Sequence, residues 1–337
     1  MRNIVTFDKY SEVDLKPSEM IRDYVRLVEK DVVTFFSEGK YMKYSPCPGC
    51  LDKNISSTFM KLGLNYVECA SCHTLRISPR PDDEALKRYY LESSARRFWR
   101  QELSRMTKSK RKEKIVKPRY EWILDSTCEY RPEATHIIDI NTSQNIVLDE
   151  IVSAKLFNRK TIANPFISIN SSMFPGFDVI LTPIADMNFT EDADVVTLFE
   201  VVDQTSDVEA LFRNVYRILK KGGLCFLTTI LCSGFDIQVL WDKAQNLIPP
   251  DRLNVFSVEG MKALFERHGF KCLEFSTPGI LDVEIVVKHF EKDPSCDIPK
   301  FIKYIIENRD SNIRRGFQEF LESSLLSSYG RILLQKV

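Results

Sequence analysis

"ADVVTLFEVVDQTSDVEALFRNVYRILKKGGLCFLTT", residues 193–229, carries a strand, a helix and a second strand in succession. Residues 194–199 and 224–230 are short apolar runs of strand length. Between them Val208, Leu211, Phe212, Val215, Ile218 and Leu219 recur at helical spacing, and Gly222 is placed to close that helix as its C-cap. Short buried strands joined through a helix are the unit from which parallel sheets are built.

The same texture extends in both directions. Further strands are expected at 136–140, 160–163 and 178–181. Downstream, "SVEGMKALFERHGFKCLEFST" (257–277) reads as a helix ended by Gly269 and followed by a strand, and "GRILLQKV" (330–337) reads as the last strand. These last two are expected to pair antiparallel at the sheet edge, with residues 280–328 inserted between them and helical over 298–327. The predicted fold class is therefore α/β, a doubly wound Rossmann-like sheet with an antiparallel edge hairpin. Before it, Met20, Ile21, Tyr24, Val25 and Val28 mark a helix within 15–38. The stiff "SPRP" (78–81) precedes an aromatic-rich helix capped by Asp82 or Asp83, and "KPRYEWILDS" (117–126) begins another with Pro118 in its first turn. The chain divides into a helical segment (1–40), a cysteine-bearing module (41–80), a helical linker or lid (81–130) and the sheet domain (131–337, with the helical insertion at about 280–328).

Lys plus Arg balances Asp plus Glu at 47 each, which gives no global reason to expect nucleic acid or an anionic membrane as partner. The basic run over 108–117 reads as a solvated helix face or linker. No run of about 18 apolar residues is present, so no membrane span is expected, and the mixed, charged N-terminus does not read as a signal peptide. Nine cysteines, an odd number, read as reduced thiols in a cytoplasm.

Four of the nine stand as C-x2-C-x18-C-x2-C: Cys47, Cys50, Cys69 and Cys72. Each C-x2-C places two thiolates on one tight knuckle, and two knuckles supply a tetrahedral set, the pattern of a small zinc ribbon. Two unrelated thiol pairs, or a redox C-x-x-C, are the other readings, although a redox motif normally stands alone at a helix start. His73 follows the second knuckle, but four sulfurs complete the set without it. With every position filled by protein, such a zinc is structural.

The quoted stretch resembles the fourth strand, following helix and fifth strand of the class I S-adenosylmethionine-dependent methyltransferases, where "DVV…EVLEH…LKPGG" is usual. "LIPPDRLNVFSVEGMKALFERHGF" and "STPGILDVEIV" resemble that family's substrate-side segment and sixth strand. The order of zinc ribbon, "SPRP" with its tyrosine-rich helix, "RKEKIVKPR" and sheet resembles a bacterial subgroup associated with polysaccharide or nucleotide-sugar modification. The resemblance runs from about residue 10 to 337.

What it implies about the site is read position by position. Asp139 matches the acid of the first-strand D-x-G-x-G-x-G, with Asn141, Ser143 and Asn145 at the glycine positions; Asn164 takes the place of the second-strand acid. On this resemblance Asp139, Asn141, Ser143 and Asn164 line the S-adenosylmethionine site, with Asp186 and Met187 near the adenine. Glu200 and Asp203 match acids of the "EVLEH" segment, Gln204 stands for its histidine, and Arg252 stands where the subgroup often has histidine. Tyr89, Tyr90, Glu200, Gln204 and Arg252 are then the acceptor-side, catalytic candidates. The implied acceptor is a sugar or related small molecule, free or carrier-linked, or a polysaccharide precursor. The alternative is a catalytically inactive scaffold that serves a paralogous methyltransferase or another biosynthetic protein. Glycine permits close approach to a ligand and positive φ, so its loss at three positions supports that second reading. A zinc-ribbon nucleic-acid binder lacks a clear basic-aromatic face.

Overall fold

The computed structural model describes residues 17–37, 42–140, 156–163, 176–180, 190 and 192–337. Helix α1 (Ser18–Phe36) turns Tyr24, Val28, Val32, Phe35 and Phe36 inward on one stripe. Strands β1 (Ile55–Lys61), β2 (Leu64–Cys69) and β3 (Leu75–Ile77) follow, each antiparallel to the next. Asp82 caps α2 (Asp83–Glu92) by accepting from the Ala85 amide at 2.9 Å. Residues 94–116 are short helical turns leading into α3 (Lys117–Tyr130), with Pro118 in its first turn. The basic run is helical, but it is not wholly solvated. Arg111 is buried with its guanidinium 5.5 Å from the Trp99 ring centre, and its Nε donates to Thr107 Oγ1 at 2.9 Å.

The sheet domain then supplies β4 (His136–Ile140), β5 (Arg159–Ala163), β6 (Asp178–Ile180), β7 (Ala193–Phe199), α4 (Val208–Ile218), β8 (Leu219–Ile230), β9 (Asn254–Val255), α5 (Val258–Arg267), β10 (Phe270–Ser276), α6 (Asp282–Lys292), α7 (Lys300–Asn308), α8 (Ser311–Ser323) and β11 (Tyr329–Lys336). Seven strands lie in the order β10-β11-β8-β7-β4-β5-β6. The five from β8 to β6 are parallel, and β11 is antiparallel to both β8 and β10, the edge hairpin expected from the sequence.

Alternation along the strands divides the sheet into two faces. Ile138, Val196, Leu198, Cys225, Leu227 and Ile332 pack under α4 and α5. Ile137, Val195, Leu224, Phe226 and Leu333 pack under Trp122 and Ile123 of α3. A further core joins α1, α2 and the ribbon strands to residues 230–255 and α6.

Two expectations are corrected. Gly222 does not cap α4, which ends at Ile218 with Leu219 already extended. It sits, at φ 73°, in an irregularity of β8 where pairing with β7 shifts between Leu219 and Leu224. "STPGILDVEIV" is not a strand beyond Ser276: Asp282 opens α6, and Val283, Ile285, Val286 and Phe290 bury a helical stripe. The two-residue β9 was not expected.

One charged group ties the amino ends of the central strands together. Asp194, 2% exposed, accepts from Arg131 Nε and Nη2 at 3.0 and 2.9 Å, from Lys220 Nζ at 3.1 Å, and from the Thr135 and His136 amides at 3.0 and 3.1 Å. Burial pushes its carboxyl up, but these donors more than reverse that and hold it at about 2. A folded-state value below the unfolded one means stabilisation that is present above about pH 4 and lost as pH falls through the folded value. Asp194→Asn is expected to cost ~2 kcal/mol at neutral pH, with the gap to the parent protein closing as the pH falls from about 4 toward 2. Urea unfolding across that range measures it; an equal gap at both ends would contradict the account.

Candidate functional site

The chain runs from β4 outward through β5 to β6, then returns to place β7 on the other side of β4. The carboxyl ends of β4 and β7 therefore border the crevice in which open α/β sheets take their ligands. Asp139, near the end of β4, is 2% exposed and accepts from the Thr197 hydroxyl of β7 through Oδ1. Its Oδ2 has no partner among the described residues. Burial raises its carboxyl to about 6 against the opposing effects of Thr197 and Arg119. A buried carboxylate oxygen left open at this position fits a ligand that brings a hydrogen-bond donor. Asn141, Ser143, Asn145, Asn164, Asp186 and Met187 lie outside the described residues.

Glu200 follows β7 directly. Its amide still donates to Thr228 O of β8 at 2.8 Å, but its φ is 59°, so the backbone turns sharply out of the sheet here. Its side chain keeps 39% exposure and meets two guanidiniums, Arg119 Nη2 at 2.8 Å and Arg252 Nη2 at 3.4 Å. Arg119 comes from α3, where its Nε donates to the Tyr329 hydroxyl at 3.1 Å and its guanidinium lies 5.1 Å from the Phe199 ring centre. Arg252 reaches with Nη1 to Asp203, which has no exposure and also accepts from Thr229 Oγ1. The result is an alternating row, Arg119, Glu200, Arg252, Asp203.

This row decides what the groups can do. Burial would raise Glu200, but Arg119 and Arg252 overcome it and hold the carboxyl at about 2. Burial pushes Asp203 up to about 6, opposed by Arg252 and Thr229. Near neutral pH Glu200 is thus an anion that accepts hydrogen bonds and orients a group. Its affinity for a proton is far below what a general base uses.

Of the other acceptor-side candidates, Gln204 donates through Nε2 to Glu200 O at 3.3 Å, and the Tyr90 hydroxyl donates to Gln204 O at 3.4 Å. Tyr90 is 3% exposed, and Arg96, paired with Asp251 at 3.2 Å, lies 5.2 Å from its ring centre. Burial raises its phenol. Tyr89 packs against the rings of Phe35 and Phe36 at 5.9 and 5.7 Å. Tyr90, Glu200, Gln204 and Arg252 are therefore contiguous, and Tyr89 lies in the core behind them. Arg119, Tyr329 and Asn254 were not singled out from the sequence. An arginine on the first turn of an amphipathic helix carries no mark of the carboxylate it will meet.

The four ribbon cysteines converge, with all four Sγ atoms within 4.8 Å of one another. Cys47 and Cys72 are 3.5 Å apart, and Cys50 and Cys69 3.4 Å. Regular tetrahedral zinc with bonds of about 2.3 Å places its sulfurs ~3.8 Å apart, so the set fits that ion. The knuckles share a geometry: the Leu51 amide donates to Cys47 O at 2.9 Å and the His73 amide to Cys69 O at 3.0 Å, with φ of 66° and 61°. The His73 ring turns away to Glu68 at 3.0 Å. Arg267 of α5 donates to Gly49 O and Pro48 O at 2.7 and 3.1 Å, which fastens the first knuckle to the sheet domain.

A family model described as a methyltransferase domain matches residues 91–274, more than half of the chain. No curated protein matches the chain by sequence. Among solved structures, a protein of Galdieria sulphuraria assigned as a sarcosine dimethylglycine methyltransferase is similar at 16% identity and TM-score 0.42, over 65% of this chain and 85% of that one. An S-adenosylmethionine dependent methyltransferase from Mesorhizobium loti is similar at 12% identity and TM-score 0.40, over 64% and 98%. Coclaurine N-methyltransferase, bound to N-methylheliamine and SAH, is similar at 15% identity and TM-score 0.38, over 64% and 72%.

Two measurements check this geometry. Metal analysis of the purified protein is expected to find about one zinc per chain, falling with melting temperature in Cys69→Ser, because a structural zinc contributes its binding free energy to folding. Arg252→Ala strands Asp203 as an unpaired buried carboxylate and is expected to cost ~3–5 kcal/mol in urea unfolding. Adding Asp203→Asn should recover part of that loss, since the charge that needs a partner has gone.

Proposed function

Because the chain belongs to the methyltransferase domain family, we propose that it is an S-adenosylmethionine-dependent methyltransferase whose acceptor is a sugar or related small molecule, free or carrier-linked. The observation that carries the cofactor reading is the Oδ2 of Asp139, without a partner among the described residues and buried at the carboxyl end of β4 where the sheet order reverses. Asp139 would hold the cofactor together with Asn141, Ser143, Asn164, Asp186 and Met187. The acceptor class is supported by the sequence arrangement of zinc ribbon, "SPRP" helix and sheet, which resembles the bacterial subgroup associated with polysaccharide and nucleotide-sugar modification. The assignment of 1–40, 41–80 and 81–130 as separate modules before the sheet domain, and a cytoplasmic location, belong to the same proposal.

Bound S-adenosylmethionine supplies a methyl group on a sulfonium, and its transfer in line to an acceptor depends above all on positioning. Glu200 is suited to that task. Its carboxylate is exposed enough to accept a hydrogen bond from an acceptor hydroxyl or amine, and Arg119 and Arg252 keep both its charge and its orientation fixed. Arg252 carries the same restraint to Asp203, and Gln204 braces the Glu200 carbonyl. Tyr90 supports the loop from behind. The residues thus orient the acceptor and leave its proton to solvent.

Calorimetric titration of the zinc-loaded protein with S-adenosylmethionine and S-adenosylhomocysteine tests the reading. Micromolar binding is expected, weakened by about tenfold or more in Asp139→Ala, with zinc content and circular dichroism unchanged. Absence of heat up to millimolar ligand, together with absence of a thermal shift, would overturn the enzyme reading. The scaffold role beside a paralogous methyltransferase or biosynthetic partner would then stand in its place.

A further inference from the structure

We infer that residues 252–257 form a strap through which the zinc ribbon sets the position of the Glu200–Asp203 loop, with the buried amide of Asn254 as the positioning residue. The inference rests on the methyltransferase reading only in taking that loop as the acceptor side of the site.

One side of the strap belongs to the ribbon. β9 pairs antiparallel with β3, Asn254 opposite Arg76 and Val255 opposite Leu75. The Ile77 amide donates to Leu253 O at 2.9 Å, and the Tyr66 hydroxyl of β2 donates to Arg252 O at 2.5 Å. Ser257, which caps α5, donates its hydroxyl to the carbonyl of the zinc-ligand candidate Cys72, and its amide donates to Thr74 Oγ1 at 3.3 Å. The space between knuckle and α5 is tight. A Cβ on Gly260 would lie 2.1 Å from Thr74 Oγ1, so this face of the helix requires glycine.

The other side holds the loop. The Asn254 amide N–H donates to Asp203 O at 3.1 Å, and its side-chain Nδ2 donates to Val202 O at 3.0 Å and Thr205 O at 2.8 Å. Asn254 has no exposure, so water cannot take over those bonds. Its neighbour Arg252 contributes the guanidinium that joins Asp203 to Glu200. A two-residue strand has little stability of its own and keeps its place only while its neighbours hold it. The ribbon strands are in turn short, and the knuckles that end them need their metal. Metal, ribbon, strap and loop are therefore linked in series, and Asp139 on the cofactor side is outside that series.

Amide hydrogen exchange followed by mass spectrometry on the full zinc-loaded chain tests the coupling without any substrate, so its result is independent of whether S-adenosylmethionine binds. Zinc withdrawal with a chelator is expected to raise exchange in 252–257 and 200–205 together, by about tenfold or more, while 223–230 of β8 stays protected. Asn254→Ala and the isosteric Asn254→Asp are expected to raise exchange in 200–205 with one zinc still bound and with 55–77 and 223–230 protected. Loosening confined to the ribbon after zinc withdrawal, or unchanged protection of 200–205 in both variants, would overturn the strap. Should chelation unfold the whole chain, the two Asn254 variants decide alone: general loss of protection assigns Asn254 a merely structural role and also overturns it.

Discussion

Asp203 is an acidic side chain with no contact with water, and a charge so placed must be matched or abandoned. Arg252 matches it, and in doing so fixes the segment that follows β8 against the carboxyl end of the sheet. From that one pairing the site acquires its order. The second guanidinium nitrogen of Arg252 is left for Glu200, Arg119 closes the row from α3, and Asn254, two residues further on, ties the backbone of the same loop. The ribbon strands can complete their small sheet only because β9 has been brought to them.

Four carboxylates of the central sheet show how environment separates groups of one chemical type. Asp194 is buried among cationic side chains and backbone amides and is held at about 2, which suits a structural tie. Glu200 reaches the same low value between two arginines while retaining contact with solvent, which suits a group that orients a ligand. Asp203 and Asp139 are raised to about 6 by burial, yet Asp203 is engaged on both oxygens whereas Asp139 keeps one without a partner among the described residues. The open oxygen, rather than the raised value, is what distinguishes the cofactor-side candidate.

The ribbon is continuous with the molecule's packing. Tyr66, Leu75 and Ile77 of its strands share a core with α1, α2 and residues of the sheet domain such as Ile237, Leu247 and Val255. The knuckles are secured by Arg267 and Ser257 from α5. No helix among the described residues is long and apolar enough to cross a membrane.

The sequence by itself determined the periodic elements and the metal set. Alternating apolar strands, the helical stripe from Val208 to Ile218, Asp82 before its helix and the spacing of Cys47, Cys50, Cys69 and Cys72 are local signals, each contained within a few turns or two knuckles. Resemblance then brought Glu200, Gln204, Tyr90 and Arg252 forward as a group, and the fold places them in contact. Only the tertiary structure could decide what surrounds them. Arg119 lies 81 residues from the carboxylate it meets, and Asn254 lies 49 from the Thr205 carbonyl it holds. The displacement of Gly222 into a strand likewise follows from pairing partners absent from its own window. Charge matching and hydrogen-bond satisfaction act through space, and no pattern along the chain records which distant group will arrive to provide them.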